Sequence, residues 1–129
     1  MKTIKAIICE PGKKAYVKEI STDLKALQGI VGGLIEFFYL SDHVFLVCND
    51  EGKIINLPMN RVIRDEQGSI IEVINGTFFI AKDNEDEDSD GFESLTTEEV
   101  EFYLKKYLYP DDIFLVGNQI MAFPYYEAE

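Results

Sequence analysis

Apolar and polar positions alternate from the start of the chain. Thr3-Ile4-Lys5-Ala6-Ile7-Ile8-Cys9 reads as a strand, Pro11-Gly12 as a turn, and Lys14–Ile20 as a second alternating run. Together they predict a hairpin with Lys13, Lys14 and Lys18 around its turn and outer face. Ser21 or Thr22 is then placed to cap a short helix whose first turn holds Asp23. Leu24, Leu27, Gln28 and Val31 give that helix one inward face, and Gly32-Gly33 stops it with a left-handed residue. Residues 34–40 and 43–48 are β-prone runs separated by Ser41-Asp42, which predicts an antiparallel pair. Both runs are apolar at nearly every position, so both are expected to be central and covered on two faces.

The second half is more punctuated. Asn49-Asp50-Glu51-Gly52-Lys53 predicts a turn with Gly52 at a positive φ, returning into Lys53-Ile54-Ile55, and Leu57–Arg61 breaks the pattern again. After a turn at Asp65–Gly68, one long strand is expected over 69–81, bulged or bent at Asn75-Gly76. Thr96 and Glu99 have capping-box spacing, and Val100, Tyr103, Leu104, Tyr107 and Leu108 form a helical stripe ended by Pro110. Residues 113–116 and 119–123 flank Gly117-Asn118 as a hairpin, leaving Tyr125–Glu129 frayed or loosely docked. The sum is a single α+β domain over 1–129: a mostly antiparallel, twisted sheet with two helices packed against it.

Composition narrows the function classes. The chain has 129 residues, enough for one core. No apolar run approaches the roughly 18 residues of a membrane helix, and Met1–Lys5 carries no export signal, which predicts a cytoplasmic protein. The net charge is −12, unevenly placed: residues 1–64 sum to +2 and residues 65–129 to −14. From Asp83 to Glu101 there are ten acidic residues and no basic one. Such a field repels phosphates, so direct nucleic acid binding is not expected, while a basic protein partner or a cation would suit it.

Candidate chemistry is sparse. Cys9 and Cys48 read as small buried hydrophobes, or as a redox pair if their strands are neighbours. With His43 as the single histidine, no Cys/His zinc set can be assembled, and no metal or cofactor is assigned. Asp86–Gly91 matches the opening of a calcium loop, but its twelfth position is Thr97 where a bidentate Glu is needed, so a solvated loop is preferred. His43 opens a strand with no nucleophile placed by motif to partner it, and the spacing of Glu36, Glu51 and Glu72 does not argue for a carboxylate pair. The phosphate-loop, dinucleotide, zincin, hydrolase-elbow and deaminase motifs do not occur. The remaining cluster is Asn49, Glu51, Asn60 and Arg61, polar groups in consecutive turns that would gather at one rim of the sheet. Arg61 with Asn60 would suit a carboxylate, phosphate or peptide carbonyl. The alternative is structural: the asparagines shape turns and Arg61 pairs with a nearby Glu.

Taken in order, several segments resemble a family of small domains of unknown function found in Gram-positive bacteria, their phages and conjugative elements. They are Glu10-Pro11-Gly12-Lys13, Leu27-Gln28 through Val31–Glu36, Asn49–Lys53, Leu57–Arg61, Gly76–Ile80 and Ser94-Leu95-Thr96, covering about 1–108 and leaving 109–129 outside. The resemblance implies a mobile-element setting and an intracellular location, and it carries over no activity. The leading expectation is a non-catalytic binding module, regulatory or counter-defence in role, acting on a protein partner through the Asn49–Arg61 rim or the acidic face. The alternatives are an acidic DNA mimic that blocks a nucleic-acid-binding protein, and a small-ligand binder or enzyme with a pocket near Asn60 and Arg61. Exposed edge strands also allow a homodimer.

Overall fold

The computed structural model describes residues 2–84 and 91–129. Among these residues, two helices and ten strands form the α+β fold. The main sheet contains β1 (Thr3–Cys9), β2 (Tyr16–Ser21), β3 (Ile35–Tyr39), β4 (Val44–Asn49), β7 (Phe78–Asp83) and the short β8 (Phe92–Glu93). Its order is β2-β1-β7-β4-β3, with β8 also on β7, and every pairing is antiparallel. Two hairpins stand apart from it: β5 (Met59–Arg64) with β6 (Ile70–Asn75), and β9 (Asp111–Val116) with β10 (Gln119–Pro124).

Strict alternation builds two cores, one on each face of the main sheet. Ile4, Ala6, Ile8, Phe45, Val47, Phe79 and Ala81 meet Leu27 and Val31 of α1 (Leu24–Val31). Ile7, Cys9, Val44, Leu46, Cys48, Phe78 and Ile80 meet Tyr103 and Tyr107 at α2 (Thr97–Lys106), together with Ile63 and Ile74 of the β5–β6 hairpin. Neighbours such as Phe78 and Phe79 therefore point oppositely and are both fully buried, each contributing about 1.5–3 kcal/mol of transfer free energy. A smaller cluster of Val62, Val73 and Ala122, with Ile70 and Ile113, seats the β9–β10 hairpin on the far side of β5–β6.

The capping box at Thr96 is complete: Glu99 N–H donates to Thr96 Oγ1 at 3.1 Å and Thr96 N–H to Glu99 Oε1 at 2.8 Å. Gly32 closes α1 at φ 82°. Other local expectations are corrected. Asp23, rather than Ser21 or Thr22, occupies the N-cap of α1, and Ser21 Oγ accepts from its N–H. Leu24, expected inward, is exposed in the first turn of α1, and Leu27 and Val31 carry the buried face. Strand β3 is an edge, with Phe37 and Tyr39 exposed, whereas β4 is covered at every position. Lys53-Ile54-Ile55 stays within a turn, and the positive φ falls at Asn56 (57°) instead of Gly52. Gly52 answers to space: a Cβ there would sit 2.8 Å from the Asn75 carbonyl oxygen. The run 69–81 is two strands, since Gly76 at φ 85° turns the chain out of the β5–β6 hairpin and into the main sheet as β7.

Candidate functional site

The β5–β6 pairing shifts register between Met59 and Arg61, so Asn60 sits in a bulge. A bulge re-aims the side chains around it, and here both Asn60 and Arg61 are fully buried. Asn60 Nδ2 donates to the carbonyls of Cys9 (2.8 Å) and Gly76 (2.9 Å), binding β1 to the start of β7. Its Oδ1 accepts a short hydrogen bond from Arg61 Nη1.

Arg61 uses every N–H it has. Nε donates to Tyr107 O (2.8 Å), Nη1 to Glu10 O (3.1 Å) and Asn60 Oδ1, and Nη2 to Lys13 O (2.8 Å) and Leu108 O (3.1 Å). A guanidinium has five donors, and these are five acceptors. Two of them lie just past the C-terminal end of α2, where the helix dipole favours a cation. Burial pulls the guanidinium below its ordinary pKa, against the nearby Cys9 and Asp111, which favour its charge. Burial likewise pushes the Cys9 thiol up to about 12, against the Arg61 charge. Asp111 completes the surroundings by accepting Val62 N–H at 2.9 Å. Burial raises its carboxyl in spite of that bond and the charges of Arg61 and Arg64.

The four residues singled out from the sequence therefore do not share one rim. Asn49 is also buried, donating to Val31 O (3.1 Å) and accepting Glu51 N–H (2.8 Å), so it ties the end of α1 to the turn after β4. Glu51 is exposed and meets Asn49 only through its backbone. A cavity of about 420 Å³ adjoins Arg61, lined also by Arg64, Lys105, Lys106, Asp111 and Tyr126. Asn60 does not line it, and Arg61 has no N–H left to offer a ligand there.

A second cavity, of about 270 Å³, lies between the β3–β4 end of the main sheet and β6. It does bring together Glu36 and Glu72, with Asn49 and Cys48, but not Glu51. Glu72 is already held by Lys53 Nζ at 2.6 Å, and burial with the charge of Glu36 pushes the Cys48 thiol up to about 11, away from a nucleophile. Small-molecule sites usually offer about 300–1,000 Å³, so this cleft is small. The two cysteines lie on β1 and β4, which β7 separates, and both are free thiols. Among the described residues no group of three His, Cys, Asp or Glu side chains is arranged to hold a metal ion. The calcium-loop residues 86–90 lie outside the described residues, as do five of the ten acidic residues of the 83–101 stretch. Within the described part, Glu99 is committed to the capping box and to Lys82 Nζ at 3.3 Å.

Two features were missed from the sequence. Asp83 accepts Tyr39 Oη (3.1 Å) and lies 3.0 Å from His43 Nδ1, because β4 pairs with β7 in a register that sets Val44 opposite Lys82. Only that long-range pairing could have revealed it. The other is the β9–β10 hairpin. Its inner face pairs Ile113 with Ala122 over β5–β6, and its outer face carries Phe114, Val116, Met121 and Phe123, all exposed. From Ile113 to Tyr126 there is no charged residue, a signal that the sequence did contain.

Residues 4–108 match the family model described as a domain of unknown function, DUF3846. No curated protein and no solved structure matches the chain significantly. The apolar hairpin starts just beyond the matched residues.

Proposed function

The chain belongs to the DUF3846 family of domains of unknown function, and from that premise we propose that it is a non-catalytic protein-binding module whose contact surface is the β9–β10 hairpin. One observation carries this reading: beyond Asp112 the hairpin has no charged residue, and it exposes Phe114, Val116, Met121 and Phe123 on a molecule with net charge −12. Contiguous apolar patches of this kind mark interaction sites on soluble proteins. The polar residues that would otherwise suggest ligand chemistry, Asn49, Asn60 and Arg61, spend their hydrogen bonds on the chain's own carbonyls and amides. We further propose a cytoplasmic setting in a phage or conjugative element of a Gram-positive host, with a regulatory or counter-defence role. The ordered segments from Glu10-Pro11-Gly12-Lys13 to Ser94-Leu95-Thr96 support that setting through their resemblance to such domains.

A photo-crosslinking residue placed at Phe123 in the cell tests the contact. The expected result is a discrete crosslinked protein species that disappears when Met121→Lys is added. Absence of any protein adduct from position 123, with the chain folded, would overturn the reading.

A further inference from the structure

We propose that the cavity at the end of α2 binds a small phosphate monoester that carries a planar ring, a 5′-mononucleotide in kind. The site is separate from the outer face of the β9–β10 hairpin and does not depend on it. The end of α2 supplies Lys105 and Lys106, β5 supplies Arg64, and the segment after β10 supplies Tyr126. At about 420 Å³ the cavity falls within the roughly 300–1,000 Å³ usual for small-molecule sites.

Charge selects the phosphate. Four of the chain's twelve Lys and Arg residues line this one cavity, on a molecule of net charge −12. Arg61 is saturated, but the other three are not. Arg64 donates from Nη1 to Gly68 O (2.8 Å) and from Nη2 to Ala122 O (3.2 Å), which leaves three of its five N–H groups. Among the described residues Lys105 forms no ion pair, and Lys106 lies over the rings of Phe102 and Tyr107. The lining holds one carboxylate, Asp111, which already accepts Val62 N–H. Even with Arg61 set aside, three cations against one carboxylate leave a surplus of two positive charges. A phosphate monoester, at about −1.5 to −2 near neutral pH, matches that surplus better than a carboxylate does. Arg and Lys are the side chains that recognise phosphate.

The end of a helix ordinarily opposes an anion, because its last carbonyls carry negative partial charge. Here Arg61 donates to the carbonyls of Tyr107 and Leu108, so the buried guanidinium cancels that field at the cavity wall. The same wall has a polar group left over. Tyr107 lines the cavity and is only 5% exposed, and among the described residues its Oη has no hydrogen-bond partner. Buried polar groups in native proteins are nearly always paired, so the chain alone leaves this region incomplete. The ring of the ligand is assigned from the opposite side. Tyr109 and Tyr126 meet edge to face there, with centroids 4.9 Å apart, and the Tyr126 ring is exposed. An open aromatic face of this kind is a platform on which a base stacks.

Isothermal titration calorimetry of the full chain with adenosine, guanosine, cytidine and uridine 5′-monophosphates tests the site, with the parent nucleosides and inorganic phosphate titrated in parallel. The expected result is binding of at least one nucleotide, weakening severalfold as sodium chloride is raised, since the cations are exposed. Lys105→Gln breaks no ion pair among the described residues and should weaken binding severalfold; Lys105→Gln with Lys106→Gln should weaken it roughly tenfold or more. Tyr126→Ala should weaken the nucleotide but leave inorganic phosphate unchanged. An unchanged melting temperature in each variant separates a lost site from a lost fold. No heat with any of the four nucleotides overturns the proposal, as does binding indifferent to the double lysine variant. A nucleoside that binds as tightly as its nucleotide overturns the phosphate, and a nucleotide indifferent to Tyr126→Ala overturns the ring.

Discussion

Around Arg61 the chain takes a full positive charge into its interior, while in the β9–β10 hairpin it sets bulky apolar side chains into water. Both reverse the usual partition of residues, and they do so for different reasons. The buried charge is tolerated because five oxygens from three separate segments receive its five N–H groups. The exposed apolar face has no such compensation within the chain. A polar group with every partner supplied internally belongs to the architecture; an apolar face with its partners missing points outward. Burial and saturation together, rather than residue type, separate the scaffold from the contact surface.

The comparison can be broken first at its buried end. Arg61→Met would take the Arg61 donor from the carbonyls of Lys13 and Tyr107, and one of two donors from those of Glu10 and Leu108, and is expected to cost about 3–5 kcal/mol in urea unfolding. Arg61→Lys, with a charge but three donors, should fall between it and wild type. If both variants unfold like wild type, Arg61 is not the scaffold's tie. Gly76→Ala comes next, since Gly76 supplies a carbonyl to Asn60, adopts φ 85°, and would place a Cβ 2.7 Å from Leu57 Cδ1. A loss of about 1–3 kcal/mol by the same measurement is expected.

Smaller still is Thr96→Ala, at about 1 kcal/mol for the lost cap. Its partner Glu99 adds a pH test. Burial would raise the Glu99 carboxyl, but hydrogen bonds with Thr96 and the Lys82 ammonium outweigh it and hold the pKa below the ordinary value. A carboxyl depressed by folding stabilises above its unfolded pKa, and that contribution is lost as pH falls through the lower folded value. The stability gap between wild type and Glu99→Gln, followed by urea midpoints, should therefore shrink as the solution is acidified through that window. Met121→Lys completes the series at the exposed end. It should leave monomer stability within about 0.5 kcal/mol of wild type, so a large loss there would show that the hairpin's outer face belongs to the fold.

Much of the fold was legible wherever the cause was local. The Thr96–Glu99 cap, the Gly32 stop, the β1–β2 turn at Gly12 and the last hairpin each rest on residues a few positions apart. What depended on neighbours distant in sequence was not. The β3 run Ile35–Tyr39 looks as apolar as β4, and composition cannot say that one lies at the edge and the other in the middle. Asn75-Gly76 was recognisable as a bend, but not as the passage between two sheets. The candidate site was the least legible part. Arg61 has the same chemistry on a rim or in a core, and its backbone acceptors lie 46 to 51 residues away.

Those separations have a kinetic meaning. The Arg61 hydrogen bonds draw together the β1–β2 turn, the β5 bulge and the end of α2, so they form only after loops of that length have closed. Where such contacts form after the folding barrier, their loss falls mainly on the unfolding rate, and a denaturant chevron of Arg61→Met reads this directly. Arg61 would then act as a latch. The lifetime of the folded chain, more than the speed at which it forms, would hang on one guanidinium.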